Sequence, residues 1–321
     1  MLIEYEFSNF RSFAEGATLS MRAGTQTTLN ENLIRSGRKR YLPSAVIYGP
    51  NASGKSNIIM SLSLMREIVL QGGIDAGTPE LNELEIYPFA YDSTQKLMSF
   101  CIEFESAGKH FRYNLEIEVD PFSSKGKRKI ISEVLAMSNE RTLVPLFMRD
   151  ETKVGIQRIK PALDMLGGSE KLLGEFEERI NKNLDPARLF LTNAFKSIVS
   201  SEIADMVIDF FRNKLVVVSD FTLKSTNLMF SMEELPDKDF VAWNRILDGF
   251  VKSADFGPQQ ILLKSKKTDD EHTAQMRLMS LYKVGGKNVM LPADKMESRG
   301  TLKLLDFAIP FVDLFAKGGV F

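Results

Sequence analysis

Cysteine is almost absent from this chain: Cys101 is the only one among 321 residues, so no disulfide can form within it. Such sparse cysteine is typical of a reducing compartment, and we expect a cytoplasmic protein. No basic segment followed by an apolar run begins at Met1, as a signal peptide would require. A run of about 20 apolar residues is also missing, since the longest apolar tract, near residues 304–315, is broken by Asp306 and Asp313. The sequence therefore predicts neither secretion nor a membrane span.

The chain also lacks an excess of charge of one sign. Its 41 lysine and arginine residues almost balance its 42 aspartate and glutamate residues, and the net charge is −1. A contact with nucleic acid would therefore have to come from a local patch. The hydrophobic content of 44% and the charged content of 26% are those of an ordinary globular protein, long enough for one large domain or two lobes.

One segment carries a complete phosphate-binding pattern. Residues 49–56 read Gly-Pro-Asn-Ala-Ser-Gly-Lys-Ser, which is Gly, four variable residues, Gly, Lys and Ser. The apolar run at residues 44–48 predicts a buried strand before the loop. After it, apolar residues recur at helical spacing until two glycines, Gly72 and Gly73, predict a stop; the apolar residues are Ile58, Leu62, Met65 and Val69. Strand, glycine loop and helix follow in the order that phosphate binding requires, which disfavours the alternative of a glycine-rich turn without a ligand.

The chemistry of such a loop assigns a role to each residue type. Backbone N–H groups wrap around the phosphates, glycines permit the close approach, and the helix N-terminus adds a partial positive charge. Lys55 would contact the β- and γ-phosphates, and the Ser56 hydroxyl would bind Mg²⁺. We therefore predict ATP and Mg²⁺ as ligands. The predicted nucleotide-binding residues of the loop are Gly49, Pro50, Asn51, Ala52, Ser53, Gly54, Lys55, Ser56 and Asn57.

The N-terminus carries a second motif. A strand at residues 2–7 leads into Asn-Phe-Arg-Ser-Phe at residues 9–13, where Arg11 by itself would be interpreted as a residue at the rim of a small core. Together with the phosphate loop, this segment resembles the P-loop ATPases of the ABC-like group, which includes SMC, RecF and OLD proteins, and in particular compact bacterial AAA family ATPases. The resemblance implies that Arg11 contacts the bound nucleotide.

A third motif lies near the end of the chain. Ser298, Gly300 and Thr301 precede an apolar helix pattern, and by themselves they predict a helix N-cap. The resemblance gives them a further role, because this is the position of the family's signature motif, of which Ser-x-Gly-Thr is a form. The signature closes on the γ-phosphate held by the opposite subunit. The resemblance therefore implies a homodimer or higher oligomer assembled head to tail around ATP.

Periodicity predicts the remaining architecture. Alternating apolar residues predict an antiparallel hairpin at residues 98–119 and further strands at 130–137 and 144–148. Helical patterns occupy residues 161–213 and 236–254, too short for the sustained heptads of SMC-type arms. Strands follow at 260–264, 276–284 and 288–291, with a glycine turn at 285–286, and further short strands are predicted at 17–21 and 215–218. We predict an α/β, ABC-like P-loop NTPase fold with an antiparallel β subdomain and a helical lobe. Within this single ATPase domain, residues 1–160 form the nucleotide-binding β lobe, 161–255 the helical lobe, and 256–321 the strands and signature helix.

Two basic clusters are candidate contacts for nucleic acid. One comprises Arg35, Arg38, Lys39 and Arg40, and the other occupies residues 125–129 at a predicted turn. For the first the ordinary interpretation is a solvated loop, and for the second a charged hairpin tip.

The acidic residues that the family uses for hydrolysis are not found in this sequence. The resemblance places an Asp for Mg²⁺ and a Glu for the attacking water at the end of the strand after Gly319, followed by a histidine. Asp269 and Asp270 follow a polar turn, and Asp220 offers only one carboxylate, so none substitutes convincingly. The general base is therefore unknown. We expect the natural protein to continue for several tens of residues; the alternatives are a truncated product or a degenerate member.

Three functions follow from these patterns and the resemblance. The first is an ATPase that acts as an ATP-driven dimer switch, with a nuclease or toxin effector in bacterial phage defence, as compact relatives often act. The second is a nucleotide-gated interaction module that hydrolyses little ATP. The third is a DNA-binding repair ATPase of the RecF or OLD type. A P-loop kinase is disfavoured because the signature segment would then have no role.

Overall fold

The computed structural model describes residues 1–25, 29–74, 86–89, 97–119, 128–138, 142–156, 170–217, 227–231, 244–245, 248–249, 252, 257–267, 273–298, 300–302 and 318–320. The chain divides into two compact units. The first is Met1–Ser219 with Val320, and the second is Asp220–Gly319 with Phe321. The predicted division at residues 160 and 255 stays a prediction.

The first unit is built on a seven-stranded antiparallel sheet in the order β2-β1-β5-β6-β7-β8-β9. A separate two-stranded hairpin, β3 and β4, is inserted between β2 and the phosphate loop. The strands are β1 Leu2–Ser8, β2 Ala17–Ser20, β3 Ile34–Ser36, β4 Lys39–Tyr41, β5 Leu97–Ser106, β6 Lys109–Val119, β7 Arg128–Ser138, β8 Leu143–Arg149 and β9 Val154–Ile156.

The hairpin of β5 and β6 confirms the prediction from alternation. Its turn at Ala107 and Gly108 has φ values of 49° and 72°, which match the right-handed twist of the flanking strands. Phe100 pairs with Leu115 across the two strands, and both are buried. The predicted strands at 17–21, 130–137 and 144–148 are also present, as β2, β7 and β8.

Helices cover the buried side of this sheet. The helices that the structure describes here are α1 Lys55–Gln71, α2 Glu170–Asn181, a π-helix at Leu191–Val199, α3 Ser201–Asp209 and a second π-helix at Phe210–Lys214, and a short 3-10 helix lies apart from them at Asn30–Asn32. The inward face of α1 buries Leu62, Met65 and Val69, as their helical spacing predicts, in one core with the sheet. Gly72, at φ 75°, ends α1 at the predicted stop.

A buried charge pair holds the segment that precedes the first π-helix against the sheet. Glu133 on β7 accepts hydrogen bonds from Phe190 N at 2.7 Å and Leu191 N at 2.9 Å. Arg149 on β8 lies 3.7 Å from Glu133 and donates to the carbonyls of Arg188 and Asp185. Both charged side chains are completely buried. The sequence analysis did not predict this pair.

The strand predicted at residues 44–48 is not formed, and this prediction was wrong. The segment takes part in no strand pairing with the described residues, and 84% of Val46 and 89% of Tyr48 is exposed to solvent. A strand is stabilised by hydrogen bonds to a neighbouring strand, so an apolar composition alone does not form one. The run predicted from Leu215 behaves differently: Leu215 is buried and pairs in parallel with Val320, with Val216 N donating to Val320 O at 2.9 Å.

The second unit contains a four-stranded antiparallel sheet. Its strands are β10 Asn227–Ser231, β11 Gln260–Lys267, β12 Thr273–Val284 and β13 Lys287–Pro292, followed by a short helix, α4 Ala293–Met296. β12 pairs with β11 on one side and with β10 and β13 on the other. The glycine turn at 285–286 and the last two predicted strands are thereby confirmed. Most of the predicted helix at 236–254 lies outside the described residues, as does the basic turn at 125–127.

Among the helices that the structure describes, none has the length and apolar character needed to cross a bilayer.

Candidate nucleotide-binding site

The phosphate loop ends at the first residue of α1. Ala52 and Gly54 have positive φ values of 63° and 90°, and Lys55 begins the helix. The loop is closed by Ser53 N, which donates to Pro50 O at 3.3 Å. Because the first N–H groups of a helix have no acceptor within it, those of Lys55 and Ser56 lie at the positively polarised end of α1.

The Lys55 side chain folds back over this loop. Its Nζ donates to the carbonyl oxygens of Gly49 at 2.8 Å and Pro50 at 2.6 Å. Both acceptors are neutral backbone carbonyls, so these two hydrogen bonds leave the ammonium charge uncompensated. An ammonium group, a helix N-terminus and a loop of small residues therefore occupy one exposed surface, which is the donor set that a phosphate chain requires.

The N-terminal motif supports the loop from behind. A Cβ atom at Gly54 would lie 2.8 Å from Ser12 Oγ and 2.9 Å from Phe13 Cε2. Asn57 Nδ2 donates to Ser12 Oγ at 2.7 Å, which links α1 to the same turn. Glycine at position 54 is thus required twice, by its positive φ and by this close approach.

We expect Gly54→Ala to weaken ATP binding about tenfold or more, because a left-handed alanine costs about 1–2 kcal/mol and its methyl group displaces the turn at Ser12. The measurement is a calorimetric titration with ATP and Mg²⁺. Gly174→Ala is the matched control, since a Cβ atom at this position of α2 meets none of the described residues within 4 Å. Equal affinities of the two variants would contradict the role of the close approach.

Arg11 lies beside α1 in a strained turn. Its φ is 50°, its backbone N donates to Tyr87 O at 3.0 Å, and its Nη1 lies 2.9 Å from Met60 Sδ. The guanidinium also stands over the rings of Phe10 and Tyr87, at 5.4 and 5.8 Å from their centroids. The side chain is thus held against the second turn of α1. Its predicted contact with nucleotide stays a prediction.

The signature segment has the geometry of a helix N-cap. Thr301 N donates to Ser298 Oγ at 3.1 Å, and the two hydroxyls lie 2.9 Å apart. Leu302 N donates to Ser298 O at 3.0 Å, which begins the helix. The N-cap prediction is confirmed, while the role of Ser298, Gly300 and Thr301 across a subunit interface stays a prediction. The weak acidic substitutes Asp220, Asp269 and Asp270 lie outside the described residues, so the general base is still unassigned.

The residues present suit Mg²⁺ and ATP. Lys55 supplies a cation, the start of α1 supplies N–H donors, and the exposed Ser56 hydroxyl supplies one hard oxygen ligand. Across the described residues no group of three or more His, Cys, Asp and Glu side chains is placed to hold a metal ion. The sequence analysis predicted these loop residues from a local pattern, and their contacts with nucleotide and metal stay predictions. It missed the support from Ser12, since that contact joins positions 45 residues apart.

Comparison with known proteins agrees with this site. Residues 44–159 match the model of a family described as "AAA domain, putative AbiEii toxin, Type IV TA system". The matched segment includes the phosphate loop, α1 and the strands from β5 to β9. No curated protein sequence matches the chain. The match supports an AAA or ABC-like P-loop ATPase family for this part of the chain.

Proposed function

We propose that this protein is an ATPase that binds Mg²⁺-ATP in the loop at residues 49–56 and works as a head-to-tail dimer switch. The observation that carries the proposal is the position of Lys55, whose ammonium group lies over the loop at the N-terminus of α1. Its two bonds to neutral carbonyls are weaker than bonds to charged phosphate oxygens, so ATP would draw the ammonium away from them.

Each part of the loop has a task in this proposal. The N–H groups of Lys55 and Ser56 orient the phosphates, and the Lys55 ammonium offsets the charge of the β- and γ-phosphates. Ser56 holds the metal through its hydroxyl. The metal ion, when bound there, would supply positive charge against the negative charge of the phosphate chain. The water-activating residue is not among these groups, so hydrolysis depends on a residue still to be assigned.

The switch and its partner are the second part of the proposal. Ser298, Gly300 and Thr301 of one copy would contact the γ-phosphate held by the other copy, so that ATP joins the two. The name of the matched family refers to a toxin and to a toxin–antitoxin system, which supports a partner protein as effector and a role in defence against phage.

The proposed dimer is tested by light scattering with and without Mg²⁺-ATP. We expect the wild type to become dimeric and Gly300→Gln to stay monomeric, because glutamine blocks close approach to the phosphate. Gly300 is exposed, and among the described residues an added Cβ atom would meet Ser298 Oγ alone, at 3.7 Å, so we expect the variant to fold. Gly174→Gln, at a helical glycine with open surroundings, is the matched control. The proposed dimer switch would be contradicted if the wild type stays monomeric with Mg²⁺-ATP, or if Gly300→Gln becomes fully dimeric.

An assay of phosphate release distinguishes the proposed ATPase from the first alternative, a nucleotide-gated interaction module. Nucleotide-dependent dimers without release of phosphate would identify a nucleotide-gated interaction module instead of an ATPase. The second alternative, a repair ATPase of the RecF or OLD type, requires a contact with DNA. Lys129, in the basic cluster at 125–129, is already paired with Glu118 at 3.0 Å and Glu151 at 2.9 Å, which disfavours this lysine as a phosphate contact.

A further inference from the structure

The other basic cluster lies on an ordered hairpin, here named the basic hairpin, formed by residues 34–41. Its strands β3 and β4 pair Ile34 with Tyr41, Arg35 with Arg40, and Ser36 with Lys39. Gly37, at φ 59°, forms the tip together with Arg38. Four cationic side chains therefore fall within six residues of a two-stranded ribbon, instead of in the polar loop that the sequence analysis considered.

The charges of the basic hairpin oppose one another. Arg35 and Arg40 are directly opposite across the strands, and like charges at such positions destabilise a hairpin. Arg40 donates to Asn30 Oδ1 at 2.7 Å and to Gly24 O at 3.2 Å, which are both neutral acceptors. These bonds hold the arginine in place without neutralising it. A polyanion bound over the pair would remove the repulsion.

No carboxylate among the described residues forms an ion pair with a cation of the basic hairpin. The nearby Arg22 shows the contrast, because it pairs with Glu4 at 3.3 Å and with Glu103. Burial acts to raise the pKa of Glu103, but hydrogen bonds from His110 and Arg22 outweigh it and lower this pKa to about 2. Arg22 is thus internally neutralised. Glu105 accepts a hydrogen bond from Ser36 Oγ of the hairpin at 3.0 Å, a contact that neutralises none of its cations.

The basic hairpin is fixed to the main sheet at its base. Tyr41 is buried, and Leu42 N donates to Met21 O at 2.7 Å beside it. Ala23 N donates to Arg40 O at 3.0 Å, and Ser36 holds the other strand to Glu105. Arg35, next to this base, and Arg38 and Lys39, near the tip, stay exposed. The backbone that carries the cations is therefore held by hydrogen bonds on both strands, and less backbone entropy is lost when they bind a ligand.

We propose that the basic hairpin binds the phosphate backbone of a DNA duplex. Three of its four cations are arginines, whose guanidinium groups match phosphate oxygens in two-point contacts. A two-stranded ribbon also fits the major groove of B-DNA, where the tip and both strands of the hairpin can contact phosphates. An acidic protein segment would supply fewer charges at less regular spacing. The contact is independent of base sequence, and it does not depend on the proposed ATPase.

Fluorescence anisotropy with a labelled DNA duplex, measured over a range of salt concentrations, tests this site in the full chain. The test variant combines Arg35→Ala, Arg38→Ala and Lys39→Ala. We expect its affinity at low salt to fall about tenfold or more, and the slope of log affinity against log salt to shrink by about 2–3, because each lost phosphate contact contributes about 0.9 to that slope.

The matched control removes three exposed cations from α2 and the residue that follows it, by Lys171→Ala, Arg179→Ala and Lys182→Ala. It has the same net charge as the test variant, and we expect affinity and slope close to those of the wild type. The proposal is overturned if the wild type binds no duplex at low salt, or if both variants lose affinity equally. It is also overturned if the hairpin variant binds like the wild type, or if the wild type binds anionic vesicles but not DNA.

Discussion

Lys55→Ala is expected to weaken ATP binding by about 100-fold or more. The ammonium group would make charge-assisted hydrogen bonds to two phosphate groups, each contributing about 1.5–3 kcal/mol, and the sum of about 3 kcal/mol or more corresponds to that factor. Phosphate release should fall by at least the same factor, since the same cation offsets charge in the transition state. No other lysine lies within the loop at residues 49–56 to replace it.

Calorimetry with ATP and Mg²⁺, together with a phosphate-release assay, measures this loss. The fold should persist, because Lys55 Nζ bonds only to exposed loop carbonyls and contributes nothing to the core. The control is Lys171→Ala on the exposed surface of α2, which should bind like the wild type. Wild-type affinity in Lys55→Ala would contradict the assignment of the loop, and absence of Mg²⁺-dependent binding in the wild type would remove the proposed function altogether.

Glu133→Ala should have the largest effect on folding, lowering the free energy of unfolding by about 3–5 kcal/mol. The carboxylate is fully buried and accepts hydrogen bonds from Tyr113 Oη and from the backbone of Phe190 and Leu191. Its removal leaves the Arg149 guanidinium charged and without its counter-ion in the core. Burial raises the pKa of Glu133 and lowers the pKa of Arg149, so each charge costs free energy when it is alone.

Unfolding in urea, monitored by the circular dichroism signal of the helices, measures this loss of stability. Glu178→Ala, at an exposed position of α2, is the matched control and should change the free energy of unfolding by less than about 0.5 kcal/mol. Glu133→Gln should fall between the two, since an amide keeps an acceptor but not the charge. A loss of under 1 kcal/mol in Glu133→Ala would mean that packing, not the charge pair, holds this segment on the sheet.

Local patterns predicted much of the fold. The hairpin of β5 and β6 follows from alternation over its own residues, and α1 from the spacing of Leu62, Met65 and Val69 between two glycine-containing boundaries. The same kind of local reasoning failed at residues 44–48, where an apolar run has no paired strand among the described residues. The composition of a segment indicates which side chains a strand would bury. Whether the strand forms depends on a neighbouring strand that can form hydrogen bonds with its backbone.

Charged residues were the hardest to interpret from sequence. Glu103 alternates with the apolar residues of its strand, yet it is buried as well, and Arg22 and His110 pair with it. In the sequence, Glu133 cannot be told apart from other polar residues of a strand. Nothing near it predicts its partners, which are Arg149 and the N–H groups of Phe190 and Leu191. These partners come from other elements, so no periodicity could have revealed them.

The sequence by itself determined the phosphate-loop pattern and the helix after it, because Gly54, Lys55 and Ser56 are consecutive residues at the point where that helix begins. Only the tertiary structure decided what surrounds them: the turn at Ser12 that closes on Gly54, the burial of Glu133 with Arg149, and the opposition of Arg35 and Arg40 on one ribbon. The physical reason is the separation along the sequence of the residues that interact. Backbone conformation is set by neighbours in sequence, whereas burial, ion pairing and strand pairing join residues that the chain keeps far apart until it folds.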